Sequence, residues 1–377
     1  MSVVKGYRLM RGRLMLMAIL GVVSAARADM MPMEESDLDE VSGQASLFSV
    51  DYTAPGQNGN PNSKLGFYRL SMDAEISMNA NIDRLALGCG GSKGAGKCDL
   101  DINEVRLTGT QATASGDTGP GTDAILTRPF FEFAIKNPDL LASREISGIR
   151  FGAEKTLGKM TIGQNPDITN RDDDYGVVNF SGDMDAYIAR ATMNNVRVTL
   201  FGGTLGTASA ELDPYRYSDT HGGSPLIFER AVGTWTTHNT CATTLDCMYF
   251  DGLSGTANLF GFNIALNSNL YERLAYIHDL MLSEDIAGLV PVRGMYLSLQ
   301  KESIFWPKVD GSAVPGWHAV AARKGWWMSV PTVTIPHLVI EQEIVVDAFA
   351  ALGTVNLEDV DLGQVPVDNC YGSLKFC

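Results

Sequence analysis

Few residues of this chain are of a type and spacing to do chemistry. Gly90-Gly91-Ser92-Lys93-Gly94 spells the G-x-S-x-G string of a nucleophile elbow, and His221-Gly222-Gly223 faintly resembles an oxyanion loop. An elbow needs a strand-to-helix turn that exposes its serine. Here the string lies in a glycine-rich loop between Cys89 and Cys98 with no helical pattern behind it, so the serine hydrolase reading fails. Asp99-Leu100-Asp101-Ile102-Asn103 matches the first five positions of a calcium loop. Glu104 then stands where that loop needs glycine, and Thr110 where it needs a bidentate glutamate. Leu100 and Ile102 alternate with the acids, which predicts a strand with a solvated face. Asp172, Asp173 and Asp174 follow Arg171 in a loop, and three close carboxylates with backbone carbonyls can hold Ca²⁺. The same residues also make an ordinary solvated acidic turn. They are the one metal candidate, and Ca²⁺ is the one candidate cofactor.

Histidines 221, 238, 278, 318 and 337 show neither H-x-H nor H-E-x-x-H spacing, which predicts turn or surface residues and not ligands. Trp306, Trp317, Trp326 and Trp327 crowd one stretch with His318 and Pro331. Packing is the usual employment of such residues, and an aromatic strip for carbohydrate or lipid is the alternative. No catalytic set emerges, and the chain does not read as an enzyme; a secreted hydrolase is the last-ranked function.

The elements around these residues read as strands. Tyr68, Leu70, Met72, Ala74, Ile76 and Met78 alternate with Arg69, Ser71, Asp73, Glu75 and Ser77, which predicts one strand with its apolar face half-buried. Similar runs recur at 82–87, 105–107, 130–135, 146–151, 196–201, 259–266, 295–299, 326–330 and 338–346, separated by turn-rich pieces such as 55–63 and 114–123. Helical spacing is best at Asn269 to Leu282, a stretch that reads equally as a strand and a loop. Ser36 to Gly43 carries one helical turn, and no repeat of fixed period is present. The expected fold is all-β, an elongated and mainly antiparallel sandwich or solenoid-like structure. An N-terminal β region spans 29–201, a Gly- and polar-rich stretch spans 202–248, and a C-terminal β region spans 249–377.

Residues 1–28 read as a signal peptide. Lys5, Arg8, Arg11 and Arg13 precede an apolar run from Leu14 to Val23, and Ala26-Arg27-Ala28 supplies a cleavage site before Asp29. The five cations of that leader leave with it, which takes the formal charge from −15 to −20. So acidic a chain repels nucleic acid and anionic headgroups. No apolar run reaches the length of a membrane-spanning helix, a test that leaves a β-barrel open. Export and an even cysteine count predict disulfides. Pairing nearest neighbours closes the loops at least entropic cost, giving Cys89–Cys98, Cys241–Cys247 and Cys370–Cys377. Zinc would need closer cysteines and matching histidines.

Met31-Pro32, Asp37-Leu38 and Val41-Ser42-Gly43-Gln44 form an M-P-x-x-x-x-D-L-x-x-V-S-G-Q opening. It resembles that of a bacterial family of exported proteins that includes components of a Fil-type pilus system. Arg128 to Ile135 with Arg144 to Gly152 looks like that family's central β region, and Asn369 to Cys377 is similar to its ending. The resemblance implies a structural or adhesive component of the cell surface, on or near the outer membrane or in the periplasm. Its implied partners are envelope or pilus-system proteins, or further copies of the chain. It carries over no catalytic residue. An outer-membrane β-barrel transporter is the rival reading, and the alternation at 68–78 fits its strands.

Overall fold

The computed structural model describes residues 47–91, 94–111, 122–163, 176–188, 191–212, 215–216, 226–229, 247–273, 277–285, 289–312, 314, 316–336, 338–347, 354–358, 360 and 362–364. Their regular elements are β-strands, apart from one 3₁₀ turn at Gln57–Gly59. The chain opens with β1 (Phe48–Thr53), β2 (Leu65–Met72), β3 (Glu75–Met78), β4 (Ala80–Leu87) and β5 (Leu100–Thr108). Two long strands follow, β6 (Ala124–Lys136) and β7 (Glu145–Thr161), then β8 (Val177–Asn179) and β9 (Ser181–Ile188). The middle holds β10 (Ala191–Leu200), β11 (Gly203–Leu212), β12 (Tyr215–Arg216), β13 (Leu226–Glu229), β14 (Cys247–Leu259) and β15 (Phe262–Arg273). Last come β16 (Asp279–Leu282), β17 (Val292–Arg293), β18 (Tyr296–Gln300), β19 (Gly325–Ile335), β20 (Leu338–Ile340), β21 (Ile344–Asp347) and β22 (Thr354–Glu358).

Fifteen of these strands form one sheet, along the path β1-β2-β6-β7-β16-β19-β9-β12, and seven form a second, along β20-β10-β11-β14-β15-β22. Most pairings are antiparallel; β9–β19, β10–β20, β10–β21 and β15–β22 are parallel. Strands from before residue 201 pair directly with strands from after 278: β7 with β16 and β18, β9 with β19. The two β regions of the sequence are therefore interleaved in one body from Leu47 onward. Its main core draws on both sheets, with Leu100, Ile102 and Met184 from the first meeting Val196, Leu266 and Leu338 from the second. A smaller core gathers Phe67, Phe130, Tyr296 and Trp327 beneath Ile304 and Trp306 of the segment after β18.

Local chemistry explains where the strands break. The run expected as one strand from 67 to 78 splits at Asp73-Ala74, where Arg128 N–H on β6 donates to the Ala74 carbonyl, and β3 pairs with the far end of β6. Arg128, in the left-handed region at φ 50°, marks the point where the partner of β6 changes from β2 to β3. The run 259–266 contains a hairpin turn, because Phe260 and Gly261 both have positive φ, the primed geometry that matches strand twist. Phe201 and Gly202 repeat that turn between β10 and β11. Among its described residues, the ambiguous stretch 269–282 resolves into the end of β15 and β16.

Candidate functional site

The sequence-derived candidates fall mostly outside what the structure describes. Asp172, Asp173 and Asp174 lie there, as do Ser92, Cys241, Cys370, Cys377 and three of the five histidines; of Cys247 only the backbone is described. Among the described residues no cluster of His, Cys, Asp or Glu is placed to hold a metal ion. One of the three expected disulfides, Cys89–Cys98, is formed. It closes the turn between β4 and β5, and a strand, not a helix, follows the G-x-S-x-G string. Asp99 to Asn103 does lead into a strand, but the expected solvated face is buried. Asp101 there accepts both Nε–H and Nη–H of Arg84 at 2.7 Å, and Asp99 accepts the Trp326 backbone N–H at 2.9 Å.

Of the two described histidines one is interior, contrary to expectation, and the other half-buried. His278 is buried and its Nδ1–H donates to the Ile162 carbonyl at 2.7 Å. His318 stands edge-on to Tyr296, and burial, helped by Arg150 and Lys308, pushes its pKa down to about 3. Of the tryptophans, Trp306 and Trp327 are core residues, and Trp317 packs against Phe67.

What the fold builds instead is a section of sheet with its polarity reversed. Directly paired residues project to the same face of a sheet. In register across β1, β2, β6, β7, β18 and β19 run Val50, Leu70, Phe131, Phe151, Leu297 and Met328. The next row on that face is Tyr52, Tyr68, Phe133, Ile149, Leu299 and Trp326. Phe48 and Met72 begin a third. No charged side chain interrupts the two complete rows. Much of this face stands in water: Val50 is 72 % exposed and Phe131, near the middle, 60 %. Taking about 200 Å² for an aromatic side chain, the rows leave on the order of 800 Å² of apolar surface uncovered. A typical monomer's largest patch is a few hundred Å², whereas one side of a standard protein interface is about 800 Å².

The opposite face carries the charges. Asp51, Arg69, Glu132, Arg150, Ser298 and Trp327 form one register row, an alternating ladder of acid and base. Arg150 is 0 % exposed; it pairs with Glu132 through Nε and Nη2 and donates from Nη2 to the Pro307 carbonyl at 2.6 Å. Its guanidinium lies 5.2, 5.0 and 4.9 Å from the ring centroids of Phe130, Tyr296 and Trp306. Arg69 reaches the other Glu132 oxygen at 3.3 Å. Burial pulls the Arg150 pKa down and Glu132 opposes it. Two glycines make room for this packing. A Cβ at Gly152 would fall 2.2 Å from the Met295 carbonyl oxygen, and one at Gly148 2.7 Å from Ile304 Cδ1. In the next inner row Asp183 of β9 accepts Trp327 Nε1–H at 2.8 Å and Ser329 Oγ–H at 3.0 Å. Desolvation outweighs those two bonds and pushes its pKa up to about 6. Where the ladder opens to solvent, Arg69, Arg128, Glu154, Lys308 and Asp310 line a polar cleft of about 350 Å³.

Nothing in this arrangement is a nucleophile with a base, or a set of metal ligands. Its chemistry is that of a rigid wall: charges neutralised and locked on one side, an aromatic surface offered on the other. Compared with protein-family models, curated proteins and solved structures, the chain matches none.

Proposed function

We propose that this chain is an exported structural or adhesive component of the bacterial cell envelope or surface, joined to envelope or pilus-system proteins, or to a second copy of itself, through the apolar face of β1, β2, β6, β7 and β18. The observation that carries the reading is that face: two uninterrupted apolar rows, too large for an isolated monomer and of the size one partner gives to a stable interface. The leader-like first 28 residues, the V-S-G-Q opening and the Cys89–Cys98 bridge support an oxidising, exported setting. Among the described residues β1 pairs only with β2, so the face ends at an open edge where a partner can also add a strand.

Two measurements test this. Cells expressing the tagged chain are fractionated, with protease added to intact cells in parallel; a product confined to the cytoplasm ends the envelope reading. Purified protein is then followed by light scattering and by capture of envelope proteins, alongside Phe131→Asp. A charge at the centre of the face is expected to weaken association by about 100-fold while leaving the fold intact. Association that is unchanged in that variant removes the face from the mechanism.

A second reading has its own observation. Apolar residues outside and charges inside is the alternation of an outer-membrane barrel wall. The rows, however, cover only about 14 Å along the strands at ~3.3 Å per residue, against a band about 25 Å tall in such barrels. Parallel pairing of β9 with β19 is also foreign to an up-and-down barrel. Migration that shifts on boiling in detergent gels would favour the barrel.

A further inference from the structure

We infer that the second sheet carries a membrane-contacting end, formed by the paired tips of the β10–β11 and β14–β15 hairpins. Both hairpins turn on the same tripeptide, Leu200-Phe201-Gly202 and Leu259-Phe260-Gly261. In each, the phenylalanine occupies the left-handed region, at φ 48° and 51°, with its glycine at 79° and 84°. Turns of this kind favour asparagine, aspartate or glycine at the first position, because a larger side chain on a left-handed backbone is sterically penalised. Both rings stand largely in solvent: Phe201 is 86 % exposed and Phe260 78 %. The same costly choice made twice points to what the rings meet outside the molecule.

The tips lie on one end of the sheet. Strands β11 and β14 are antiparallel with Ala210 opposite Ala257, which brings the β14–β15 turn alongside the start of β11. A Cβ at Gly206 would lie 3.2 Å from the Phe260 ring, so that ring reaches over the neighbouring hairpin. Leu205 stands exposed between them. Around both turns the chain is free of charge, from Val198 to Ala210 and from Gly252 to Leu270. A protein of net charge −15 thus keeps this end neutral. Neutrality and aromatic tips suit the interfacial zone of a bilayer, where a charge would be expensive and aromatic rings are enriched. A basic, anion-seeking surface would look different. Two rings and a leucine give reversible attachment, not an anchor. This contact is separate from the sheet face of the function proposed above and does not depend on it.

The test uses the purified full chain and vesicles of phosphatidylcholine and phosphatidylethanolamine, read by co-sedimentation. Phe201→Asn and Phe260→Asn place at each turn a residue that accepts left-handed φ, so the denaturation midpoint is expected to hold or rise. Vesicle affinity is expected to fall about 10-fold for each single change and about 100-fold for the pair, from the apolar burial lost. Leu205→Asp, outside both turns, is expected to weaken binding as well. No vesicle binding by the unaltered chain would overturn the inference. So would binding that survives in the double variant, which would assign membrane contact, if any, to another surface.

Discussion

Asp183 offers the sharpest quantitative test of the reversed sheet. Its carboxylate is only 3 % exposed and is held between Trp327 and Ser329. Burial raises its pKa from the ordinary 3.8 to about 6. The folded chain therefore holds this proton more tightly than the unfolded chain does. Between those two values the folded state binds more protons, so stability falls as pH rises from about 4 to about 6 and stays at the lower level above that. At ~1.4 kcal/mol per pH unit, keeping Asp183 ionised costs about 3 kcal/mol. Asp183→Asn imitates the protonated acid: its carbonyl still accepts Trp327 Nε1–H, and its amide donates to Ser329 Oγ. Variant and parent should agree within about 0.5 kcal/mol at pH 4, and the variant should be more stable by roughly 2–3 kcal/mol at pH 8. Guanidinium midpoints between pH 4 and 8 measure this. Asp279 is also raised by burial and adds to the parent's pH slope, but it contributes equally to both proteins and cancels in the difference. A difference that is flat with pH, or that turns against the variant as pH rises, would refute the reasoning.

Further tests address the inner ladder. Arg150→Met leaves the buried Glu132 with Arg69, at 3.3 Å, as its remaining cation, and denaturation should show a loss of about 3 kcal/mol. Adding Glu132→Leu should return only part of it: the apolar pair carries no desolvation cost, but Arg69 loses its carboxylate partner. Gly152→Ala drives a methyl into the Met295 carbonyl, and a loss of about 1–3 kcal/mol is expected in the same assay.

The strands were legible because alternation is a local signal. Residues 130–135 and 146–151 read as strands, and β6 and β7 contain them. Which face points inward was not. Tyr68, Leu70, Ile76 and Met78 form the more apolar set of their run and were expected on the half-buried face, yet Leu70, Ile76 and Met78 are exposed while Arg69 and Ser71 turn inward. A period of two fixes parity within a strand but not its sign. In Phe130 to Ile135 both faces hold aromatics, so the pattern alone does not place Glu132. Only its register opposite Arg69 and Arg150, 63 and 18 positions away, shows what neutralises it. Likewise Leu259-Phe260-Gly261 gave no turn signal, because phenylalanine is a residue that strands prefer and turns avoid.

Shape decides the sign where hydrophobicity does not. Slipping β7 by one residue would bring Ile149 and Phe151 against Trp306 and Tyr296, and would place Arg150 in water, the outcome hydrophobic patterning alone favours. Gly148 and Gly152 forbid it: they face Ile304, Trp306 and the Met295 carbonyl at distances no side chain tolerates. Once those two glycines are inside, Arg150 between them is inside as well, and Glu132 and Arg69 must follow to neutralise it. The apolar residues of β1, β2, β6 and β7 are then left outside by parity, available to a partner, while the rows' far end, at Met328, enters the main core. Because the rows and the hairpin tips lie on different sheets, their roles can be separated. Phe131→Asp should leave vesicle binding intact, and the paired Phe201→Asn and Phe260→Asn changes should leave protein association intact. Cross-talk between the two would mean that one surface, and not two, meets the envelope.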